Sequence, residues 1–233
     1  MRLLRVLMVA TSFAALLAQP STAQEGRPFR DAWFWGVKGG ILNYSSNPAA
    51  NSEKGPCCAG TDNAGAPMVG LDWVITRTNG GVYASFDQSF FNTTVMYRSP
   101  YVPGDPYLDV SGLRRYTVAA MAFPLQTPTL HPYAALGVSV NQLVSMNLQQ
   151  TIALPALAEA ARDSIQSKRV AISPMFMLGA QQRLLNFSVF AQGTGTFLPN
   201  DFYLKYSEPK RYLQWTLEAG IRYNVGSSVD RHH

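Results

Sequence analysis

The sequence is poor in charge. Asp, Glu, Lys and Arg together make up 14% of its 233 residues, against the ~25% usual for soluble domains. Long apolar runs are missing too. Beyond the first twenty residues no stretch approaches the ~20 consecutive apolar residues that a membrane-crossing helix needs. Cysteine is confined to the adjacent pair Cys57 and Cys58, which excludes a spaced disulfide framework and leaves a vicinal disulfide or two free thiols. No histidine or second cysteine pair lies nearby to complete a metal site, and no cofactor is expected. Histidine is limited to His131, His232 and His233, which leaves little material for acid–base catalysis. The formal net charge of +5 includes Arg2 and Arg5 and comes in no basic block, so nucleic acid is not an expected partner.

What is present begins with an export signal. Arg2 and Arg5 precede a mostly apolar run from Val6 to Leu17, and Ser21-Thr22-Ala23 offers small residues for cleavage before Gln24. An uncleaved anchor is the alternative, but the run is too short to span and Pro20 interrupts it. The chain therefore divides into a signal at 1–23, a periplasmic segment at 24–32, one folded domain at 33–226 and a tail at 227–233. An exported chain with little charge and many aromatics needs apolar surroundings that a helix bundle cannot supply here.

Eight segments alternate with period two, each about as long as a tilted strand crossing a bilayer. They are Phe34 to Leu42, Met68 to Thr76, Gly81 to Phe91, Arg114 to Phe123, Tyr133 to Leu143, Val170 to Gln182, Phe187 to Leu198 and Arg211 to Val225. In the last, Leu213, Trp215, Leu217, Ala219, Ile221, Tyr223 and Val225 alternate with Gln214, Thr216, Glu218, Gly220, Arg222 and Asn224. A soluble sandwich or lipocalin-like barrel would also alternate, but with charge dominating outside, and charge is too scarce for that. Short connections at 77–80, 124–132 and 183–186 interleave with long ones at 43–67, 92–113, 144–169 and 199–210. Short turns on one side and long loops on the other, with both termini on the short side, require an even strand number. In the third long loop Pro155 suits a helix start, and Leu157, Ala160, Ala161, Ser164 and Ile165 fall at helical spacing, predicting a short helix over Leu154 to Lys168 as a cap on the rim.

The glycine-rich aromatic opening Trp35-Gly36-Val37-Lys38-Gly39-Gly40, the stretch His131-Pro132-Tyr133-Ala134-Ala135-Leu136-Gly137 and the closing segment together resemble the small outer-membrane barrels of the OmpA/OmpX type, over essentially all of Trp33 to Val225. That resemblance implies an all-β fold: an eight-stranded antiparallel transmembrane up-and-down barrel with periplasmic termini. It also implies an assembly signal, met here by Glu218, Gly220, Tyr223 and Val225, and read by the barrel assembly machinery. Many members end on an aromatic residue, whereas this chain continues from Gly226 to His233, so the signal would be internal. The tail is too short for a peptidoglycan-binding domain.

Lipid offers no hydrogen bonds, so a spanning sheet must close on itself and turn apolar side chains outward. Trp33, Phe34, Trp35, Trp73, Phe90, Phe91, Tyr133, Phe187, Tyr212 and Tyr223 lie near strand ends, where interfacial girdles belong. Eight strands enclose a space just wide enough for side chains. Parity turns Lys38, Asp72, Asp87, Arg115, Glu218 and Arg222 inward, three bases and three acids that predict a self-neutralising plug. The rival reading is a narrow path for ions or small solutes through the same groups.

Barrel enzymes that modify lipid or cleave protein rely on a histidine near the outer rim, whereas His131 falls beside a short turn and His232 and His233 lie in the tail; a histidine-free acid pair, Asp72 or Asp87 with Glu218, is more economically a lumenal partner, so no enzyme is expected. The long loops offer Tyr97, Tyr101, Tyr107, Tyr203 and Tyr206 as contact area for a surface ligand. Lys54, Arg98, Lys205 and Lys210 suit the phosphates of outer-membrane lipid and lipopolysaccharide. The expectation is a monomer acting either as a structural membrane component or as a loop-based binding and adhesion protein.

Overall fold

The computed structural model describes residues 32–46, 62–77, 79–96, 107–124, 130–148, 155–184, 186–199, 202 and 212–227. They form eight strands: β1 (Ala32–Ser46), β2 (Asp62–Arg77), β3 (Gly80–Met96), β4 (Tyr107–Ala122), β5 (Leu130–Leu148), β6 (Val170–Leu184), β7 (Phe187–Leu198) and β8 (Tyr212–Ser227). Each pairs antiparallel with the next, and β8 closes on β1 to complete an up-and-down barrel. Closure leaves no sheet edge, so the backbone can be satisfied in surroundings that offer no hydrogen bonds.

The strands exist because their side chains sort by parity. Along β8, Leu213, Trp215, Leu217, Ala219, Ile221, Tyr223 and Val225 are exposed while Gln214, Thr216, Glu218, Arg222 and Asn224 are buried. The same inversion runs round the barrel: Leu136 is 72% exposed and Ile172 71%, whereas Arg115 is 3% exposed. An apolar exterior over a polar interior is stable only in lipid, since the exposed patch would far exceed what soluble monomers carry. Among the described residues no helix is long and apolar enough to cross a membrane.

Several strands run well past the period-two segments, so the loops expected at 43–67, 92–113 and 144–169 are shorter than the sequence suggests. β3 has 17 residues and β5 has 19, against the ~9 to 11 a tilted strand needs to cross hydrocarbon. Asn and Asp are poor strand formers, but a hairpin already in register extends by main-chain pairing, as in Asn92↔Ser111 and Thr94↔Asp109. Tyr107, assigned above to a loop, therefore opens β4. The β3–β4 register shifts between Ser89 and Asn92. Beside this bulge Gly112 adopts φ of 63°, and a side chain there would crowd Ser89 O at 3.2 Å.

Helix α1 (Pro155–Ser167) forms where the pattern in the third loop places it, and turns Ala161 and Ile165 inward. It is tied back to β5 by Arg169, whose Nε and Nη2 donate to Leu143 O at 2.7 Å and Val144 O at 2.6 Å. Both short two-residue links and the 123–129 connection lie at the rim shared by Ala32 and Ser227; α1 and the longer connections lie at the other. The expected signal, Cys57, Cys58, His232, His233, Tyr97, Tyr101, Tyr203, Tyr206, Lys54, Arg98, Lys205 and Lys210 lie outside the described residues.

Inside, two apolar layers face each other across a polar middle. The layer at the α1 end contains Leu42, Phe91, Leu108, Leu113, Leu143, Ile165, Leu198 and Phe202. The layer at the short-turn end contains Phe34, Val74, Tyr83, Met121, Phe123, Tyr133 and Met177. Three aromatics assigned above to the girdle are thus corrected: Phe34, Phe91 and Tyr133 point inward and are buried. Their position near strand ends is right, but parity decides the face. Trp33, Trp35 and Trp73 do gather on the outer wall, with Trp33 edge-on to Trp73 at 5.7 Å, and Phe187 meets Tyr223 at 5.2 Å.

Candidate functional site

The six charges of the polar middle come from five strands, one each from β1 to β4 and two from β8, and each is delivered by strand parity and barrel register. On β1, Lys38 pairs in register with Gly70 of β2 and Gly220 of β8. On β3 and β4, Asp87 sits opposite Arg115. On β7 and β8, Gln192 sits opposite Glu218 and Ser188 opposite Arg222.

Four of the six charged residues form one closed knot. Lys38 Nζ lies 2.8 Å from Asp87 Oδ1 and 2.7 Å from Glu218 Oε2. Arg115 Nη2 lies 3.1 Å from Asp87 Oδ2 and 2.6 Å from Glu218 Oε1. Each base thus meets both acids. Thr216 donates to Glu218 Oε1 at 2.8 Å, and Lys38 Nζ also donates to Tyr83 OH at 2.8 Å.

The remaining two form a second pair toward the short-turn rim. Arg222 donates through Nε and Nη2 to Asp72 Oδ2 at 3.0 and 2.7 Å, and through Nη1 to Gln181 Oε1 at 2.8 Å. Its guanidinium lies over Phe190, 3.7 Å from the ring centroid, with Tyr133 and Tyr83 at 5.7 and 5.9 Å. Gln192 couples the two groups. Its Nε2 donates to Glu218 Oε2 at 2.7 Å, while its Oε1 accepts from Tyr133 OH at 2.7 Å and from Arg222 Nη2 at 3.4 Å.

Space for these carboxylates comes from glycine. A Cβ on Gly36 would overlap Asp72 Oδ1 and crowd Arg222 Cγ, and one on Gly70 would overlap Asp87 Oδ1. Among the described residues the lumen thus holds Lys38, Arg115 and Arg222 against Asp72, Asp87 and Glu218, the balance under which charge survives in low dielectric.

The sequence analysis placed all six charges on inward positions but did not assign Tyr83, Tyr133, Gln181, Phe190, Gln192 or Thr216 to the network. The parity that turned Asp87 and Glu218 inward also covers Tyr83 and Thr216. Only cross-strand distance shows which inward residues touch. Of the expected assembly signal, Glu218 is spent on the knot, while Tyr223 and Val225 face outward. Gly220 has a packing role in the finished barrel, because a Cβ there would meet Phe190 Cε1 at 2.8 Å and Lys38 Cα at 2.9 Å. His131 is buried at the short-turn end of β5. The described histidine therefore lies away from the α1 rim.

A closed eight-stranded barrel, apolar outside and charged inside, decides the architecture. The chain has the build of the small outer-membrane barrels. No protein-family model matches the sequence, and no curated protein does. Solved structures do. Neisserial surface protein A (NspA) aligns at 14% identity over 82% of this chain and 96% of its own, with a TM-score of 0.46. The outer membrane protein OprG from Pseudomonas aeruginosa aligns at 13% identity over 85% of this chain and 98% of its own, with a TM-score of 0.48. Ail, the attachment invasion locus protein of Yersinia pestis, solved with the heparin analogue sucrose octasulfate, aligns at 16% identity over 82% and 99%, with a TM-score of 0.39.

Proposed function

We propose that this protein is a monomeric, non-enzymatic barrel of the bacterial outer membrane, exported by a cleaved signal at 1–23. Both termini face the periplasm, and its work is done by the hairpins it holds outside the cell. The observation that carries this reading is the filled lumen. Between two apolar layers, Lys38, Arg115 and Arg222 are each bound to an acid, and none is left to conduct an ion. With the interior occupied, the surfaces that remain are the wall, which meets lipid, and the long-loop rim.

The strand lengths support a presenting role. A strand of 17 to 19 residues at a 45° tilt rises about 40 Å, some 15 Å beyond an apolar band about 25 Å tall. Holding strands rigid past the membrane serves contact with lipopolysaccharide, a host surface or another protein better than it serves permeation. Within this reading Tyr97, Tyr101, Tyr203 and Tyr206 supply contact area at the rim, and Glu218, Gly220, Tyr223 and Val225 are read by the assembly machinery before the barrel closes.

Protease shaving of intact cells tests the topology, with cuts expected only within 47–61, 97–106, 149–169 and 199–211. A cut at 78–79 or 185–186 on intact cells would refute it. A deletion strain then separates the two roles: loss of surface attachment supports adhesion, and general detergent sensitivity supports a structural part. Long-lived conductance steps from purified protein in planar bilayers would overturn the closed lumen and favour the narrow channel instead.

A further inference from the structure

One row of the outer wall is polar where its neighbours are oily. Following the register from β1 to β6, Gly39 pairs with Val69, Val69 with Gln88, Gln88 with Arg114, Arg114 with Gln142 and Gln142 with Val170. All six are at least partly exposed. The row climbs toward the α1 rim, because the strands are tilted and Val170 opens β6 just after α1. Val69 and Val170 are 54% and 49% exposed, so both ends of the row are apolar. Toward the short-turn end the next outward residues, Phe86 and Tyr116, are exposed and apolar. Toward α1 the apolar surface resumes with Phe90 of β3, which is also exposed, and Val144 of β5, which is partly exposed. Gln88, Arg114 and Gln142 are therefore an island within the lipid-facing wall.

A cation on that face needs a partner, since arginine keeps its charge and hydrocarbon offers it nothing. The protein supplies one neutral contact: Arg114 Nε donates to Gln88 Oε1 at 3.1 Å. Gln88 is itself fixed, its Nε2 donating to Ser89 O at 3.0 Å. Among the described residues Arg114 joins no ion pair, and its Nη1 and Nη2 and the side-chain amide of Gln142 have no hydrogen-bonding partner. A guanidinium held at Nε with both terminal nitrogens unspent presents the donor fork that matches a phosphate. The amide of Gln142, directly opposite on β5, adds a further donor.

We propose that Arg114, oriented by Gln88 and assisted by Gln142, binds a lipid A phosphate of lipopolysaccharide, drawn into the wall below the level at which Phe90 and Val170 still carry apolar surface. The choice of lipid rests on the orientation proposed above, which places the α1 end in the outer leaflet; the match of fork to phosphate does not. The bound headgroup pins the leaflet thin against β3 to β5. On the opposite side of the ring, β8 is apolar at every outward position from Leu213 to Val225 and meets a bilayer of full height. The barrel thus has one thin side and one thick side.

The site is read by magnetic resonance on isotope-labelled protein refolded in a phosphate-free maltoside detergent. Adding lipopolysaccharide is expected to shift the Arg114 Hε signal and the Gln142 side-chain amide saturably, whereas lipopolysaccharide stripped of its lipid A phosphates is expected to shift neither. Arg114→Leu, which completes the apolar wall, is expected to weaken binding about tenfold as followed at Gln142, with folding checked by heat-modifiable mobility. Equal shifts with the stripped lipid, or an unchanged affinity in the leucine variant, overturn the site. Phosphatidylglycerol binding as tightly as lipopolysaccharide overturns the assignment to lipid A. Should the variant fail to fold, the comparison of intact with stripped lipid decides. Protease shaving of intact cells reads orientation independently, so a wrong topology and an empty site give different results.

Discussion

Arg222 lies with its guanidinium 3.7 Å from the centre of the Phe190 ring while both Nε and Nη2 donate to Asp72 Oδ2. Ring and carboxylate hold the same cation from two sides, the ring from the neighbouring strand β7 and the carboxylate from β2, past Gly36 of the intervening β1. That arrangement marks the difference between a charge that is merely buried and one that is enclosed. It also makes the order of two substitutions predictable.

Arg222→Met leaves the buried Asp72 carboxyl without its cation, which costs about 3–5 kcal/mol. Phe190→Leu removes only the ring face and costs about 2 kcal/mol beyond lost packing. Urea unfolding of refolded protein in detergent is expected to rank the two variants in that order. Equal losses would show that the ring, and not the ion pair, holds the group in place.

Lys38 and Glu218 are coupled through a contact of 2.7 Å, so their removal is not additive. Lys38→Met alone leaves two carboxylates to Arg115 and is expected to destabilise by about 3–5 kcal/mol. The double variant K38M/E218Q restores one base to one acid, Arg115 with Asp87. It is expected to recover more than about 1 kcal/mol relative to the sum of the single losses. A double-mutant cycle that closes at zero would dissolve the knot into independent pairs.

Gly36 and Gly70 were not singled out by charge or pattern as lumenal residues, yet each borders a carboxylate. Gly36→Ala drives a methyl into Asp72 Oδ1, which is anchored by Arg222 and cannot swing away freely. A loss of about 1–3 kcal/mol is expected. Gly39→Ala serves as the control, since that glycine is exposed on the wall and its nearest neighbour, Met68 O, is at 3.7 Å.

The wall is tested at Val118, an outward residue of β4 that is 57% exposed. Val118→Arg places a charge on the lipid face and is expected to cost about 2–4 kcal/mol, whereas Val118→Leu is expected to be neutral. Tolerance of arginine there would mean that this face meets water.

Arg169 clamps α1 to β5 through two carbonyls, and Leu143 N returns a bond to Arg169 O at 3.0 Å. Arg169→Ala is expected to raise protease cleavage within 149–169 severalfold while the urea midpoint of the barrel shifts little. That outcome separates the cap from the wall. Global unfolding would instead make the cap part of the barrel's own stability.

Strand number, the paired short and long connections, the α1 helix and the inward turn of all six charges were legible because each depends on local pattern. Period two sets the face, and turn formers set the link. The ends of the strands were not legible. Asn92, Asp109 and Asn147 are disfavoured in strands, and they join the sheet because a partner already stands in register. The mistaken placement of Phe34, Phe91 and Tyr133 has a related cause: nearness to a strand end suggested the girdle, but face is set by parity.

From sequence alone this protein had an apolar outside, a polar inside and a closed sheet, because scarce charge and alternating side chains admit little else. Tertiary structure alone decided which inward residues meet. Gln192 bridges Glu218 and Arg222, Phe190 lies under a guanidinium, and Gln214 is left unpaired opposite Thr196. The physical reason is that parity assigns a face residue by residue, whereas a contact across the lumen depends on the register of all eight strands at once.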